Sequence, residues 1–177
     1  TTDAQRAAAS AKTLLATAGA FALLTTSMTN AADTNPTAAI SPLLAPWVGP
    51  YGGVPPFDQV KVVDLKPGLE TGMAQQLAEI DRIANDPAAP TFENTIAAME
   101  RAGRTLDRVG TIYGVYSSTL NDEAVQAVER EMAPKLAAFG DQITQNEALF
   151  KRIAAVYEAR EESGLTPEQK RLVWLQY

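Results

Sequence analysis

Apolar residues over the later part of the chain recur at steps of three and four, the spacing that lines one face of an α-helix. Leu69, Met73, Leu77, Ile80 and Ile83 form the first such stripe. It predicts a helix capped by Asp64, with Pro67 tolerated in its first turn, running to about Asn85. Asp86-Pro87-Ala88-Ala89-Pro90 stops it, because proline fixes φ and removes a backbone donor. Thr91 is placed to cap a second helix, with Glu93 in its first turn and Ile96, Met99, Leu106, Val109, Tyr113 and Tyr116 on its buried stripe. Gly103, Gly110 and Gly114 fall within that stretch. Each lowers helix propensity by about 1 kcal/mol relative to Ala, so their expected use is close approach by a neighbouring helix.

A third helix is expected from near Asn121, carrying Val125, Val128, Met132, Leu136 and Ile143, with a kink at Pro134. Asn146 caps a fourth, with Leu149, Ile153 and Val156 on one face and Gly164 at its end. Thr166-Pro167-Glu168-Gln169 opens a fifth with a capping box and proline at the first helical position. Its apolar run Leu172, Val173, Trp174, Leu175 reaches Tyr177 without a Gly or Pro, which predicts a chain cut short within a helix. The predicted fold class is all-α and bundle-like.

The early part of the chain reads differently. Arg6 and Lys12 precede an Ala- and Leu-rich stretch over residues 14–24, and Thr29 and Ala31 stand at −3 and −1 of a cleavage site. A charged start, a short apolar middle and a small-residue exit predict a signal peptide over residues 1–31. The apolar run is shorter than the about 20 residues a bilayer span needs. The alternative is an Ala-rich core helix. Residues 32–63 are expected to be a flexible terminus and a Pro/Gly-rich arm, with Trp47, Tyr51 and Phe57 as its anchors and Val60 to Val63 extended. The helical region is then 64–177.

Composition narrows the function. The formal net charge is −6, from 15 basic and 21 acidic residues. Cleavage after Ala31 removes Asp3, Arg6 and Lys12, leaving 13 basic and 20 acidic, a net −7. Nucleic acid would call for clustered Lys and Arg, so it is not expected as a partner. The chain contains no Cys and no His. That excludes disulfides, thiolate or imidazole metal ligands, a cysteine nucleophile and a Ser-His-Asp triad within it.

Carboxylates remain as raw material. Glu129 and Glu131 lie two apart and are expected to face apart on their helix, and Glu161-Glu162 to form the solvated end of another. Arg101, Arg104, Asp107 and Arg108 have helical spacing suited to surface ion pairs. Tyr113 and Tyr116 read either as a binding ladder or, more simply, as core packing. The pair Gly52-Gly53 reads as a turn, since no Lys-Ser/Thr pair of a phosphate loop accompanies it.

Taken in order, Gly49-Pro-Tyr-Gly-Gly-Val-Pro-Pro-Phe-Asp58, Val62-Val-Asp-Leu-Lys-Pro67 and Ile80-Asp-Arg-Ile-Ala-Asn85 form a recognisable series. It continues with Pro90-Thr-Phe-Glu-Asn-Thr-Ile96, Ala133-Pro-Lys-Leu-Ala-Ala138, Asn146-Glu-Ala-Leu-Phe-Lys-Arg152 and Gly164-Leu-Thr-Pro-Glu-Gln169. Together these resemble the N-terminal region of the M3 family of zinc metallopeptidases, in its peptidyl-dipeptidase Dcp and oligopeptidase A branch.

The resemblance implies a much longer, two-lobed helical enzyme, expected to be monomeric, that encloses a channel for short peptides. Family members hold Zn²⁺ with the two His of a His-Glu-x-x-His helix and a downstream Glu, the Glu of the motif serving as general base. Dcp-like members release dipeptides from peptide C-termini. Without His, this chain can receive no carried-over ligand, so no catalytic, cofactor-binding or metal-ligating residue is assigned to it. Its implied role is scaffold and channel wall, and with the leader it implies a periplasmic enzyme free of the membrane once the signal is cleaved. The competing reading is a stand-alone periplasmic helical binding or chaperone module.

Overall fold

Helix α1 (Val62–Ala84) is the spine of the fold, and its two halves serve different cores. The computed structural model describes residues 41–177; the predicted leader, its cleavage site and the start of the arm lie outside the described residues. Within the described residues all regular structure is helical, joined by a single isolated bridge between Val48 and Val54. Leu65, Leu69 and Met73 on the first half of α1 pack with Leu43 and Val60 of the arm, Val109 and Ile112 of α3 (Arg104–Thr119) and Met132 of α4 (Glu123–Thr144). Ile80 and Ala84 on the second half pack with Ile96, with Leu149, Ile153 and Val156 of α5 (Glu147–Glu158), and with Val173 of α6 (Pro167–Gln176). The heptad-like stripe of the sequence is thus one continuous face shared between two apolar clusters.

Helix α1 starts earlier than Asp64. The Asp64 carboxylate reaches back to accept the Lys61 N–H at 2.9 Å, so Asp64 closes the first turn from within it, and Val62 and Val63 are helical rather than extended. Pro67 then lies a turn deeper. Its missing N–H leaves the Val63 carbonyl without a helical donor, which is tolerable because Val63 is 76% exposed and water can reach it.

The predicted second helix is two. Thr91 does cap it: its Oγ1 accepts the Asn94 N–H at 3.1 Å, and the Asn94 side chain accepts the Thr91 N–H at 2.7 Å. One π-helical turn (Phe92–Ile96) follows, then α2 (Ala97–Arg101), and there the helix breaks. Ala102 is extended at ψ 154° and Gly103 left-handed at φ 81°, with the Gly103 N–H donated to Glu79 Oε2 of α1 at 2.7 Å. Gly103 therefore marks a corner.

Gly103 is also a site of the expected close approach, since a Cβ there would collide with the Gln76 side chain of α1, and two glycines of α1 are crowded as well. A Cβ on Gly68 would meet Leu43 Cδ1 at 3.1 Å and Val109 Cγ1 at 3.3 Å, and one on Gly72 would meet the Leu106 Cα at 3.0 Å. Gly110 and Gly114 have nothing within 4 Å of such a Cβ, so the expected close approach does not occur there.

The remaining helices begin at side-chain caps. Asp122 Oδ1 accepts the Val125 N–H and Asn146 Oδ1 the Leu149 N–H, each at 2.9 Å. The capping box of α6 is closed on both sides by Thr166 and Gln169. Helix α4 runs through Pro134 without a break, and α5 stops at Glu158, so Gly164 (φ 67°) turns the chain after the helix rather than ending it. In the arm, Trp47 packs on the first core, but Tyr51 is fully exposed and Phe57 exposed. Leu43, Leu44 and Val60 are the apolar anchors beside Trp47, and Leu43 lies directly against Gly68 of α1.

The glycines predict opposite responses to one substitution. Gly72→Ala should destabilise by about 1–3 kcal/mol, since only a shift of the α3 backbone relieves the contact. Gly114→Ala, helical and unobstructed, should stabilise by roughly 0.5–1 kcal/mol. Urea unfolding midpoints of the two variants check this, and a common sign would contradict it.

Candidate functional site

The loop from Asp86 to Pro90 has carbonyls that no helix can satisfy, and a buried arginine satisfies them. Arg152, on α5 and 7% exposed, donates through Nη1 to the Asp86 carbonyl at 2.7 Å and the Ala88 carbonyl at 3.0 Å. Its Nη2 donates to Asn94 Oδ1 at 3.1 Å and lies 3.6 Å from the Asp86 carboxylate. Asn94 is the second hub: its amide donates to the Ala89 carbonyl at 2.9 Å, while Oδ1 also accepts from Thr91 N–H and from the buried Thr95 hydroxyl. The fixed five-donor fork of a guanidinium suits such a cluster of backbone acceptors.

Asp86 and Asn94 of that network also line an open cleft of about 500 Å³ between the second half of α1, the π turn and α2. Glu79, Arg82, Ile83, Asp86, Glu93 and Arg101 line it, with Asn94, Ala98 and Ala102. Its charges are engaged locally. Glu79 accepts from Gly103, Arg82 Nε donates to the Ala78 carbonyl at 3.3 Å, and Arg101 Nη2 donates to the Glu93 carbonyl at 3.2 Å and pairs with its carboxylate. The lining holds no hydroxyl, thiol or imidazole, so the cleft offers guanidinium and carboxylate contacts to a bound group but no nucleophile with its base.

The residues singled out by sequence do not converge on one place. Glu129 accepts from Asn121 at 3.1 Å, whereas Glu131 pairs with Lys66 of α1, so the two carboxylates do face apart. A second pair, Lys135 with Glu70, joins the same two helices. Glu161 lies in the turn after α5, paired with Lys170 of α6 at 2.6 Å and with Arg160, and Glu162 is exposed beside it. The break at Gly103 separates Arg101 from Arg104, Asp107 and Arg108, and among the described residues those last three form no ion pair. Arg108 ties the arm down by donating to the Leu44 carbonyl at 3.3 Å. Tyr113 and Tyr116 pack against the first core, and Tyr116 donates its hydroxyl to the Val60 carbonyl at 3.0 Å. Burial, with Glu129 nearby, raises the Tyr113 phenol above its ordinary range.

Among the described residues no group of three His, Cys, Asp or Glu is placed to hold a metal ion. Sequence reasoning did not single out Arg152 as a hub. Its place in the apolar stripe of α5, three residues after Leu149 and beside Ile153, was the available signal.

Two predictions follow from these contacts. Arg152→Met should destabilise by roughly 1–3 kcal/mol, because it removes the three hydrogen bonds of a buried guanidinium, and should be strongly non-additive with Asn94→Ala. Arg101→Met, at an exposed pair, should change stability by less than about 0.5 kcal/mol in the same denaturation assay. The second prediction concerns pH. The hydrogen bond and charge of Lys66 hold the Glu131 carboxyl below its ordinary range, while Glu131 raises Lys66. The carboxylate's contribution is therefore present above its unfolded pKa and lost as pH falls through the depressed value. That of Lys66 is present below its unfolded pKa and lost as pH rises through the raised one. Glu131→Gln should flatten both limbs of the stability–pH curve, and two unaltered limbs would refute the assignment.

Comparison with known proteins came out unevenly. No protein-family profile matches the chain. Among curated proteins, the dipeptidyl carboxypeptidase of Salmonella typhimurium is 36% identical over 133 residues, 75% of this chain and 19% of its own length. The dipeptidyl carboxypeptidase of Escherichia coli is 35% identical over 134 residues, 76% of this chain and 20% of its own. A probable cytosolic oligopeptidase A of Arabidopsis thaliana is 22% identical over 122 residues, 67% of this chain and 17% of its own. The chain thus spans about a fifth of the length of these relatives. Over that shared fifth, it belongs to the dipeptidyl carboxypeptidase and oligopeptidase A branch of peptidases.

Proposed function

We propose that this chain is helical scaffold from a zinc peptidase that releases dipeptides from the C-termini of short peptides, supplying a wall of the substrate channel and none of the reacting groups. The observation that carries the reading is the identity of 35–36% with dipeptidyl carboxypeptidases over three quarters of the chain, confined to about a fifth of their length. The donor set of the chain does not fit a catalytic zinc. It contains no His or Cys, and among the described residues no carboxylates gather in threes. Such a zinc takes three protein ligands, usually with imidazole among them. In this reading the metal and its general base belong to the part of the enzyme outside this fifth. The leader at residues 1–31 and the absence of Cys suit export to the periplasm.

The deciding experiment is a peptidase assay on the purified chain, with and without added Zn²⁺, beside a polypeptide extended to the length of the relatives. The expected outcome is release of C-terminal dipeptides by the extended protein alone. Zinc-dependent cleavage by the 177-residue chain would overturn the scaffold reading. An inactive extended protein would overturn the peptidase reading.

A further inference from the structure

The tip of the arm holds an aromatic side chain out into solvent in a backbone conformation that aromatic residues avoid. Tyr51 has φ 58° and ψ 28°, the left-handed region, and is the one residue other than glycine with positive φ among the described residues. Such a conformation costs on the order of 1–2 kcal/mol and persists only where its surroundings impose it. They do so here. Gly49, Gly52 and Gly53 on either side have φ of 114°, 88° and 120°. The Gly53 N–H donates to the Pro50 carbonyl at 3.1 Å and the Val54 N–H to the Val48 carbonyl at 3.0 Å, closing the turn. Gly53 lies so close to Trp47 that a Cβ would come within 2.6–2.9 Å of it, and Trp47 is packed on the first core. The tip is rigid, and no contact within the described residues repays the strain, since Tyr51 is 103% exposed.

What surrounds Tyr51 indicates the kind of partner. Val48 is 80% exposed, Val54 51% and Phe57 40%, and no charged residue falls between Pro42 and Phe57. Depletion of charge with enrichment in aromatic residues is the composition of the core of a protein–protein interface rather than of a solvated surface. With the turn's backbone already set, only the two side-chain torsions of the tyrosine have to be fixed when it docks. The relatives extend over roughly five times the length matched here, so this fifth must abut a much larger body of protein.

We propose that Tyr51, flanked by Val48 and Val54, is a docking knob that seats in an apolar hollow on the part of the same enzyme lying outside this shared fifth. The inference rests on the peptidase reading for the existence of that larger body, but not on its chemistry. The contact is permanent and structural, and Tyr51 orients this scaffold against its neighbour.

The test is a photocrosslink. The extended protein is made with p-benzoylphenylalanine at position 51, irradiated, and mapped by mass spectrometry. The expected product is an intramolecular crosslink to a residue beyond Tyr177. Crosslinked dimers, crosslinks to added peptide substrate or to phosphatidylglycerol vesicles, or no crosslink would each overturn the proposal. A second measurement compares Tyr51→Gly in the two lengths of chain. In the extended protein the melting temperature should fall by about 2–4 °C through loss of the docked ring. In the 177-residue chain it should stay level or rise, because glycine takes a left-handed φ without strain. An unchanged melting temperature in an active extended protein would sink the knob and leave the peptidase reading intact. A mapped crosslink in an inactive one would do the reverse.

Discussion

A chain that must pass from one helix to another through Asp-Pro-Ala-Ala-Pro has a problem with its carbonyls. Two prolines prevent the helical turn that would pair them, and the loop would otherwise be held in place by nothing but solvent. Arg152 resolves this from the far side of the second core, placing one guanidinium on two of those carbonyls and on Asn94, while Asn94 takes a third. Because Asn94 is also the reciprocal partner of the Thr91 cap, the same cluster sets where the π turn begins. The direction of α2, the corner at Gly103 and the cleft between them follow from that start. Isolated, the Arg152–Asp86 charge pair would be a doubtful source of stability, since desolvation offsets attraction. Its value lies in the backbone acceptors it satisfies together.

The second constraint is steric. Helices α1 and α3 approach through Gly68 and Gly72, and the space they leave is filled by Leu43, Val109 and Leu106. Leu43 belongs to the arm, so the arm is part of the first core and not a tether laid over it. Arg108 and Tyr116 then fasten it at the Leu44 and Val60 carbonyls. The rigid presentation of Tyr51 depends on this chain of contacts.

Side-chain caps were legible in the sequence because their chemistry is local. Thr91, Asn146 and the Thr166–Gln169 box need nothing beyond a few residues, and each stands where its pattern places it. The apolar stripes were legible for the same reason. The break after Arg101 was not, because a glycine within an apolar period signals a tight crossing and does not reveal that the chain also turns a corner there, as Gly103 does beside Gln76 and Glu79 of α1. Pattern alone likewise could not tell Gly68 and Gly72, which are crowded, from Gly110 and Gly114, which are not. Trp47 and Tyr51 differ as anchors only through which of them faces the core. The arginine hub was hidden because its acceptors are backbone carbonyls more than sixty residues away, and carbonyls leave no trace in a sequence.

The same facts account for the residue types in two of the segments that carry the resemblance. Pro90-Thr-Phe-Glu-Asn-Thr-Ile96 and Asn146-Glu-Ala-Leu-Phe-Lys-Arg152 are the two segments that meet in the Arg152–Asn94 network, and each contributes a cap as well as a hub. Their residue types are set by the geometry of shared hydrogen bonds around one buried guanidinium. A buried polar network imprints a sequence as firmly as an active site does. In those two segments the residue types follow from how this chain folds.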